Sequence, residues 1–485
     1  MSVLKKLLSQ TAIYGLSSIV GRFLNYLLVP LYTYYFTTAD YGIVSEFYAY
    51  SGFLSVFLLL GFETGYFRFR TENDKAYSTA LWVILFVNSC IFLCLIAFKD
   101  ALSSLINHAS HTEYVLYFAF ILSFDAIAAL PFARLRAENR AWRFASIKLI
   151  EIFLTVVLSL FFIVFCPKWQ SMAWVANIYD PAIGVGYIFL ANLIASGSKF
   201  IFLLPQLTAI RAGFDQVLFL KMTRYSLPIV IISFAGIINE MLDRAMLKYL
   251  LPYDESYNLT QLGIYSACYK LSILMSLFIQ AFRYAAEPFF FSYAQQRDAT
   301  DIYARVLHYF TIFCVFIFLL VTLFLDVFQY FIGTEFREGL SSVPILLLAN
   351  LFLGIYINLS IWYKLSDRTL MGALVSLIGA SLTVILNLYL IPLYGYMGSA
   401  YATLLCYVSM TIVSYWLGQR FYPIQYDLKS LMGYLGLGLS IYFTFVILQP
   451  LLVWPQGCLA SLLMLLYALI TLLFEGHRLR IFSPK

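Results

Sequence analysis

Apolar residues run along this chain in blocks of about twenty, broken by short polar connections. They do not alternate as in a half-buried strand, nor do they recur only on one helical face. The blocks lie near 10–32, 42–66, 77–98, 113–133, 144–166, 183–206, 225–251, 262–290, 303–326, 343–364, 370–392, 396–418, 430–449 and 452–474. Each is long enough to cross a hydrocarbon core as a helix. The pattern therefore predicts an all-α integral membrane protein of about 14 transmembrane helices. The longest connections, around 166–182 and 206–224, leave room for a turn or an interfacial helix and no more. The first block reads as an uncleaved helix, because it contains Arg22 and Asn25 and no small-x-small cleavage site follows it.

Composition agrees. Of 485 residues, 62% are hydrophobic and only 12% charged, against about 25% charged in a soluble domain. The net charge of +6 is no nucleic-acid signal, since basic residues gathered in cytoplasmic loops give the same sum. With the N-terminus inside, about twenty-one Lys and Arg fall on the cytoplasmic side and only Lys99, Lys168, Lys248 and Arg337 near the other. Both termini are then cytoplasmic. The seven cysteines sit singly in or beside apolar blocks without a CxxC or a neighbouring histidine, and read as apolar filler, so no metal and no cofactor is expected. His108 and His111 fall in a short connection and are expected to be solvated.

The blocks also repeat. "LTVVLSLFFIVF" at 154–165 matches "LTVILNLYLIPL" at 382–393, an offset of 228 that also aligns Arg140 with Arg368. "DYGIVSEF" at 40 and "QLGIYSAC" at 261 form a second pair. Six spans per copy give two parallel six-helix lobes, a transporter signature, with two additional C-terminal helices. The expected domains are 1–210, 211–420 and 421–485.

Charges inside the blocks carry the chemistry. An ionisable group at mid-bilayer costs about 2.5–3.5 kcal/mol on insertion scales, so each should face a wet cavity or a partner. The stretch "INEMLDRAMLKYLL" (238–251) puts Glu240, Asp243, Arg244 and Lys248 in one stripe of a helix. Lys248 is expected to snorkel to the outer interface. Glu240–Arg244 and Arg283–Glu287 have the spacing of i,i+4 pairs. Arg22, Asp243, Arg244, Lys270 and Arg283 form the deepest group, four cations to one carboxylate. A hydrated cationic cavity is inferred, suited to an anionic substrate whose phosphate oxygens Arg can grip in a bidentate fashion. Asp243, Glu240 and Asp125 are carboxylates whose proton or Na⁺ occupancy could switch the pairing of Arg244.

"GRFLNYLLVPLYTYYFTTADYG" (21–42), "LDRAMLKYLLP" (242–252), "GIYSACYKLSILMSLFIQAFRYAAEPFFFSYA" (263–294) and "LNLYLIPLYGYMGSAYATLLCY" (386–407) resemble the polysaccharide-exporter branch of the MOP superfamily, which contains the Wzx-type O-antigen and capsule flippases. The resemblance extends to about residue 420. It implies a two-lobed, non-enzymatic transporter in a bacterial cytoplasmic (inner) membrane. The substrate would be undecaprenyl-diphosphate-linked oligosaccharide, flipped to the periplasmic leaflet by alternating access, with H⁺ or Na⁺ as coupling ion and a polysaccharide polymerase as candidate partner. It implies that Arg22, midway along the first helix, meets the diphosphate; Arg244, Lys270 and Arg283 are the further substrate-binding candidates. The alternative is a multidrug or cation antiporter of the MATE branch, whose cavity should hold unpaired carboxylates. A polysaccharide polymerase or ligase would need larger external loops than this chain has.

Overall fold

Thr37 and Asp40 begin the first long helix with a capping box: the Thr37 hydroxyl accepts from the Asp40 N–H, and the Asp40 carboxylate accepts from the Thr37 N–H, both at 3.2 Å. The computed structural model describes residues 20–21, 23–24, 26–208, 213–293, 296, 298–366, 368–451 and 456–481. Among these residues the regular structure is entirely helical, as a chain surrounded by lipid requires, because a helix satisfies its own backbone groups.

The helices are α1 (Leu28–Tyr35), α2 (Thr38–Leu59), α3 (Ala76–Ala97), α4 (Thr112–Ala137), α5 (Ala141–Leu160), α6 (Gly186–Leu207), α7 (Gln216–Leu250) and α8 (Glu255–Leu271). There follow α9 (Ile273–Tyr293), α10 (Ala299–Leu323), α11 (Val343–Leu359), α12 (Thr369–Tyr394), α13 (Tyr396–Phe421), α14 (Leu428–Leu448) and α15 (Gln456–Ile481). Among the described residues 12 spans are long and apolar enough to cross a membrane, or 13 when α8 and α9, bent by 51° at their junction, count as one. These match the predicted blocks from the second onward; most of the first lies outside the described residues. The largest boundary difference is at the start of α7. The block expected at 225–251 is a 35-residue helix that starts at Gln216, where the Asp215 carboxylate caps the Leu218 N–H at 3.0 Å. That bond is the main cause holding the Asp215 carboxyl below the usual carboxylate range.

Two compact units result, residues 1–263 and 264–485. In the first, α6 packs on α4 and α5, α3 on α4, and α7 along α2. After α2, Leu60 and Gly61 adopt left-handed backbone (φ 45° and 69°) and the chain resumes as Phe62–Phe69. Phe62 and Tyr66 there pack with Leu81, Leu130, Leu218 and Met222 in a buried core. In the second unit α13 packs on α11 and α12, and α10 on α11 and α14.

The repeat appears in local geometry. α5 begins at Ala141 and α12 at Thr369, 228 positions apart, and the aligned arginines each stand immediately before the helix. Their backbones agree (φ −92°, ψ 57° at Arg140; φ −102°, ψ 45° at Arg368). Each also closes the same turn, Arg140 N–H to the Leu135 carbonyl at 2.9 Å and Arg368 N–H to the Tyr363 carbonyl at 2.8 Å. The second pair of matching segments is in mutual contact. A β-carbon on Gly42 would lie 2.1 Å from the Leu259 carbonyl oxygen, and one on Gly263 would lie 1.9 Å from the Thr38 carbonyl oxygen. Each glycine thus faces the carbonyl four residues before the other. Only glycine lets α2 and α8 approach this closely.

The last two helices belong to the second unit. The His308 imidazole on α10 and the Tyr434 hydroxyl on α14 both bond Glu475 Oε1 of α15 at 2.9 Å. The Tyr467 hydroxyl donates to the Ile312 carbonyl at 2.7 Å.

Gly263→Ala is expected to destabilise the protein by about 1–3 kcal/mol through overpacking. Gly236→Ala, where a β-carbon meets nothing within 4 Å, should be neutral or slightly stabilising. Thermal unfolding of the detergent-solubilised full chain, followed by loss of monodispersity, distinguishes the two.

Candidate functional site

The stripe on α7 divides. Asp243 is buried and Glu240 exposed. The Arg244 guanidinium donates through Nη1 to the Glu240 carbonyl at 2.6 Å and lies 3.7 Å from Asp243 Oδ1. The expected i,i+4 pair thus reaches the backbone of Glu240, and the carboxylate that faces Arg244 is that of its sequence neighbour. The Asp243 carboxylate also accepts the Arg244 N–H at 2.8 Å, which fixes its rotamer.

Lys248 contradicts its expected role. Its side chain is only 1% exposed and points inward, because Glu46 on α2 stands opposite with its carboxylate fully buried. The Lys248 ammonium donates to Glu46 Oε1 at 2.8 Å and to the Ile106 carbonyl at 2.6 Å, and lies 3.1 Å from Glu255 Oε1. His108 is likewise not a solvated loop residue: it is buried, with Nε2 2.9 Å from Glu46 Oε2. Sequence reasoning passed over Glu46. A lone glutamate within the apolar stretch "DYGIVSEFYAY" was the available signal.

A second buried cluster joins α4, α5 and α6. Lys199 is 3% exposed and donates to Asp125 Oδ1 at 2.7 Å and Glu151 Oε1 at 2.5 Å. Ser196 donates to the same Asp125 oxygen at 2.8 Å, and Lys148 to Glu151 Oε2 at 3.1 Å. Two ammonium groups meet two carboxylates, and the set is balanced. Asp125, 48% exposed, is the member with an open side.

The remaining expected residues fall elsewhere. Lys270, on α8, and Arg283, on α9, belong to the second unit. Arg283 lines a narrow recess with Asn358, Ser360 and Lys364. Glu287, its expected partner, has a side chain outside the described set, and Arg22 itself lies outside the described residues. Each unit by itself therefore holds part of the set, with Glu240, Asp243, Arg244 and Asp125 in the first. A cavity of about 390 Å³ in the first unit is lined by other residues, among them Tyr66, Arg70, Tyr77 and Arg134. The Arg134 guanidinium lies 4.9 Å from the centre of the Tyr77 ring and bonds Glu138 Oε1 at 2.6 Å.

The buried groups are joined by ion pairs and hydrogen bonds.

The profile of a family described as "Polysaccharide biosynthesis protein" matches residues 7–294. Among solved structures, the fold is similar to a lipid II flippase, MurJ, in an inward closed conformation. The TM-score is 0.69 at 15% identity, over 95% of this chain and 98% of that one. It is also similar to an inward-facing multidrug resistance MATE family transporter of the MOP superfamily (TM-score 0.58, 13% identity, 84% and 94% covered). A third likeness is to the eukaryotic MATE transporter AtDTX14 (TM-score 0.52, 15% identity, 89% and 98% covered). No curated protein matches the sequence. At these identities the structures speak for the fold.

Lys199→Met strips Asp125 and Glu151 of their shared cation. Breaking a buried pair costs about 3–5 kcal/mol, and the exposure of Asp125 places the expected loss toward the lower end. Adding Asp125→Asn to Lys199→Met should recover part of it, read as the unfolding midpoint of the double variant against the single one.

Proposed function

The chain belongs to the polysaccharide biosynthesis protein family, and from that premise we propose that it is a flippase for undecaprenyl-diphosphate-linked oligosaccharide. The observation that carries this reading is a polysaccharide-biosynthesis family match joined to a fold shared along nearly the whole chain with a lipid II flippase. In the proposed orientation both termini face the cytoplasm, and the membrane is the bacterial inner membrane. The basic residues at the ends of the spans support that orientation.

Transport of this kind breaks no covalent bond. The work of the residues is to replace the hydration of a diphosphate and then release it. Arg22, Arg244, Lys270 and Arg283 supply positive charge for it, the guanidinium groups through paired N–H donors. The glycan crosses in the aqueous space while the polyprenyl tail stays in lipid. Asp243 is suited to coupling: its carboxylate holds Arg244, and taking up a proton or Na⁺ would release the guanidinium for phosphate. Glu240 and Asp125 are the further coupling candidates. Differential affinity of the ion for the two states drives the cycle, since a ligand moves an equilibrium only by that difference.

An antiporter of the MATE type is the second reading. The open side of the Asp125 carboxylate favours it, because a cationic cargo would seek such a group.

Deleting the gene should accumulate undecaprenyl-linked glycan on the cytoplasmic side and abolish surface polymer. Unchanged polymer with altered drug sensitivity would favour the antiporter. Arg244→Ala at native expression should cut export about 10–150-fold if a charge-assisted hydrogen bond of ~1.5–3 kcal/mol is lost at the limiting step. Flux into vesicles that ignored both a pH and a Na⁺ gradient would rule out ion coupling.

A further inference from the structure

We propose that the cavity of about 390 Å³ between Phe62–Phe69, the start of α3 and the end of α4 binds an anionic phosphodiester. A phosphatidylglycerol headgroup and a soluble glycerophosphodiester both present that chemistry. None of the residues proposed above to handle the cargo or its coupling ion lines this cavity.

The volume falls in the range of small-ligand sites, ~300–1,000 Å³. Two guanidinium groups, Arg70 and Arg134, stand on it with Tyr66, Asp74, Tyr77 and Ser78. Both forks are anchored. Arg70 Nη1 donates to the Ala137 carbonyl at 2.8 Å, and Arg134 Nε to Glu138 Oε1 at 2.6 Å. A guanidinium carries five N–H donors, so these anchors leave donors on each fork for phosphate oxygens. The buried Tyr66 and Tyr77 rings meet edge-on, 5.6 Å between centres, and give the cavity an apolar wall. The turn that carries Arg70 and Asp74 is also fixed. The Asn73 amide donates to Asp215 Oδ2 at 3.1 Å, and its oxygen accepts the Lys75 N–H at 2.8 Å. Tyr77 and Ser78 belong to the first turn of α3, where the positive end of the helix dipole adds to the two guanidinium groups.

Charge balance selects the ligand. Glu138 is shared, since Arg140 Nε also reaches its Oε2 at 3.0 Å. Arg70, Arg134 and Arg140 therefore face Asp74 and Glu138, which leaves one positive charge. The neighbouring pairs Arg68–Glu72 and Arg136–Glu63 are each balanced. A phosphodiester carries the one negative charge that this set lacks. The Asp74 carboxylate only accepts, so it suits the hydroxyl groups of a glycerol head. A choline head offers it no donor and brings a further cation to the arginines.

Depth favours the lipid as the source. Three candidate membrane spans end at the cavity, at Phe69, Ala76 and Ala137. Tyr66 and Arg134 lie three residues inside their ends, about 4.5 Å along a helix, which is the level of the headgroups. Basic pockets between spans at that level recognise anionic headgroups. The site depends neither on the cargo proposed above nor on which end of the protein faces the cytoplasm.

The test is lipid binding to the delipidated full chain in detergent, read as the affinity of the first adduct by native mass spectrometry. Phosphatidylglycerol should bind about fivefold more tightly than phosphatidylcholine. Arg70 is exposed, and Arg70→Gln should weaken phosphatidylglycerol binding about tenfold. Arg68→Gln, which alters a residue outside the cavity, should leave it unchanged. Asp74→Asn keeps an acceptor but removes the opposing charge, and should tighten binding about threefold. That gain is one a misfolded variant cannot imitate. A second arm titrates soluble glycerophosphoglycerol by calorimetry. Binding there with the same dependence on Arg70, and none of the lipid, would uphold the site and assign it to a soluble ester. No binding in either arm, equal effects of Arg68→Gln and Arg70→Gln, or weaker binding in Asp74→Asn would overturn the proposal. No transport is measured, so a wrong cargo assignment leaves the result unaffected.

Discussion

A charge in the middle of this chain must face water or a counter-charge inside the protein, and the packing of the first unit follows from that requirement. An ion transferred to an apolar interior costs several kcal/mol even after relaxation. Packing between helices in lipid is weakly specific by comparison, because lipid tails are as apolar as leucine. Lys199 therefore pins α6 to α4 and α5 through Asp125 and Glu151. Lys248 pins α7 to α2 through Glu46. In each case one buried ammonium fixes the register of helices that apolar contacts alone would let slide. In the second unit neutral and titratable groups play the corresponding part, with His308, Tyr434 and Glu475 joining the last two helices to α10.

Close backbone approach supplies the second constraint. Gly42 and Gly263 let α2 and α8 pack with each glycine against a carbonyl of the other helix. The repeat explains why Arg140 and Arg368 share a backbone conformation and a hydrogen-bonded turn. Neither observation requires the matching segments to have similar side chains throughout. What persists between copies is the geometry at helix starts, where backbone groups lack intrahelical partners and the options are few.

These constraints commit several of the buried charges to structure. Lys199 and Lys248 are surrounded by acceptors and hold structure. The Arg244 guanidinium bonds the Glu240 carbonyl and lies beside the Asp243 carboxylate.

The sequence by itself determined the helices, their approximate ends and the repeat, because a twenty-residue apolar block has one stable solution in lipid. It also marked most of the charged residues that matter. It could not say which of them meet. Lys248 at a helix end looked ready to reach water, and only the position of Glu46 on another helix turned it inward. His108 looked like a loop residue for the same reason. Arg244 sits four residues after Glu240, yet the rotamer set by its surroundings sends it to a carbonyl. Pairing between distant segments depends on how helices rotate and cross, which tertiary packing decides and no local pattern encodes.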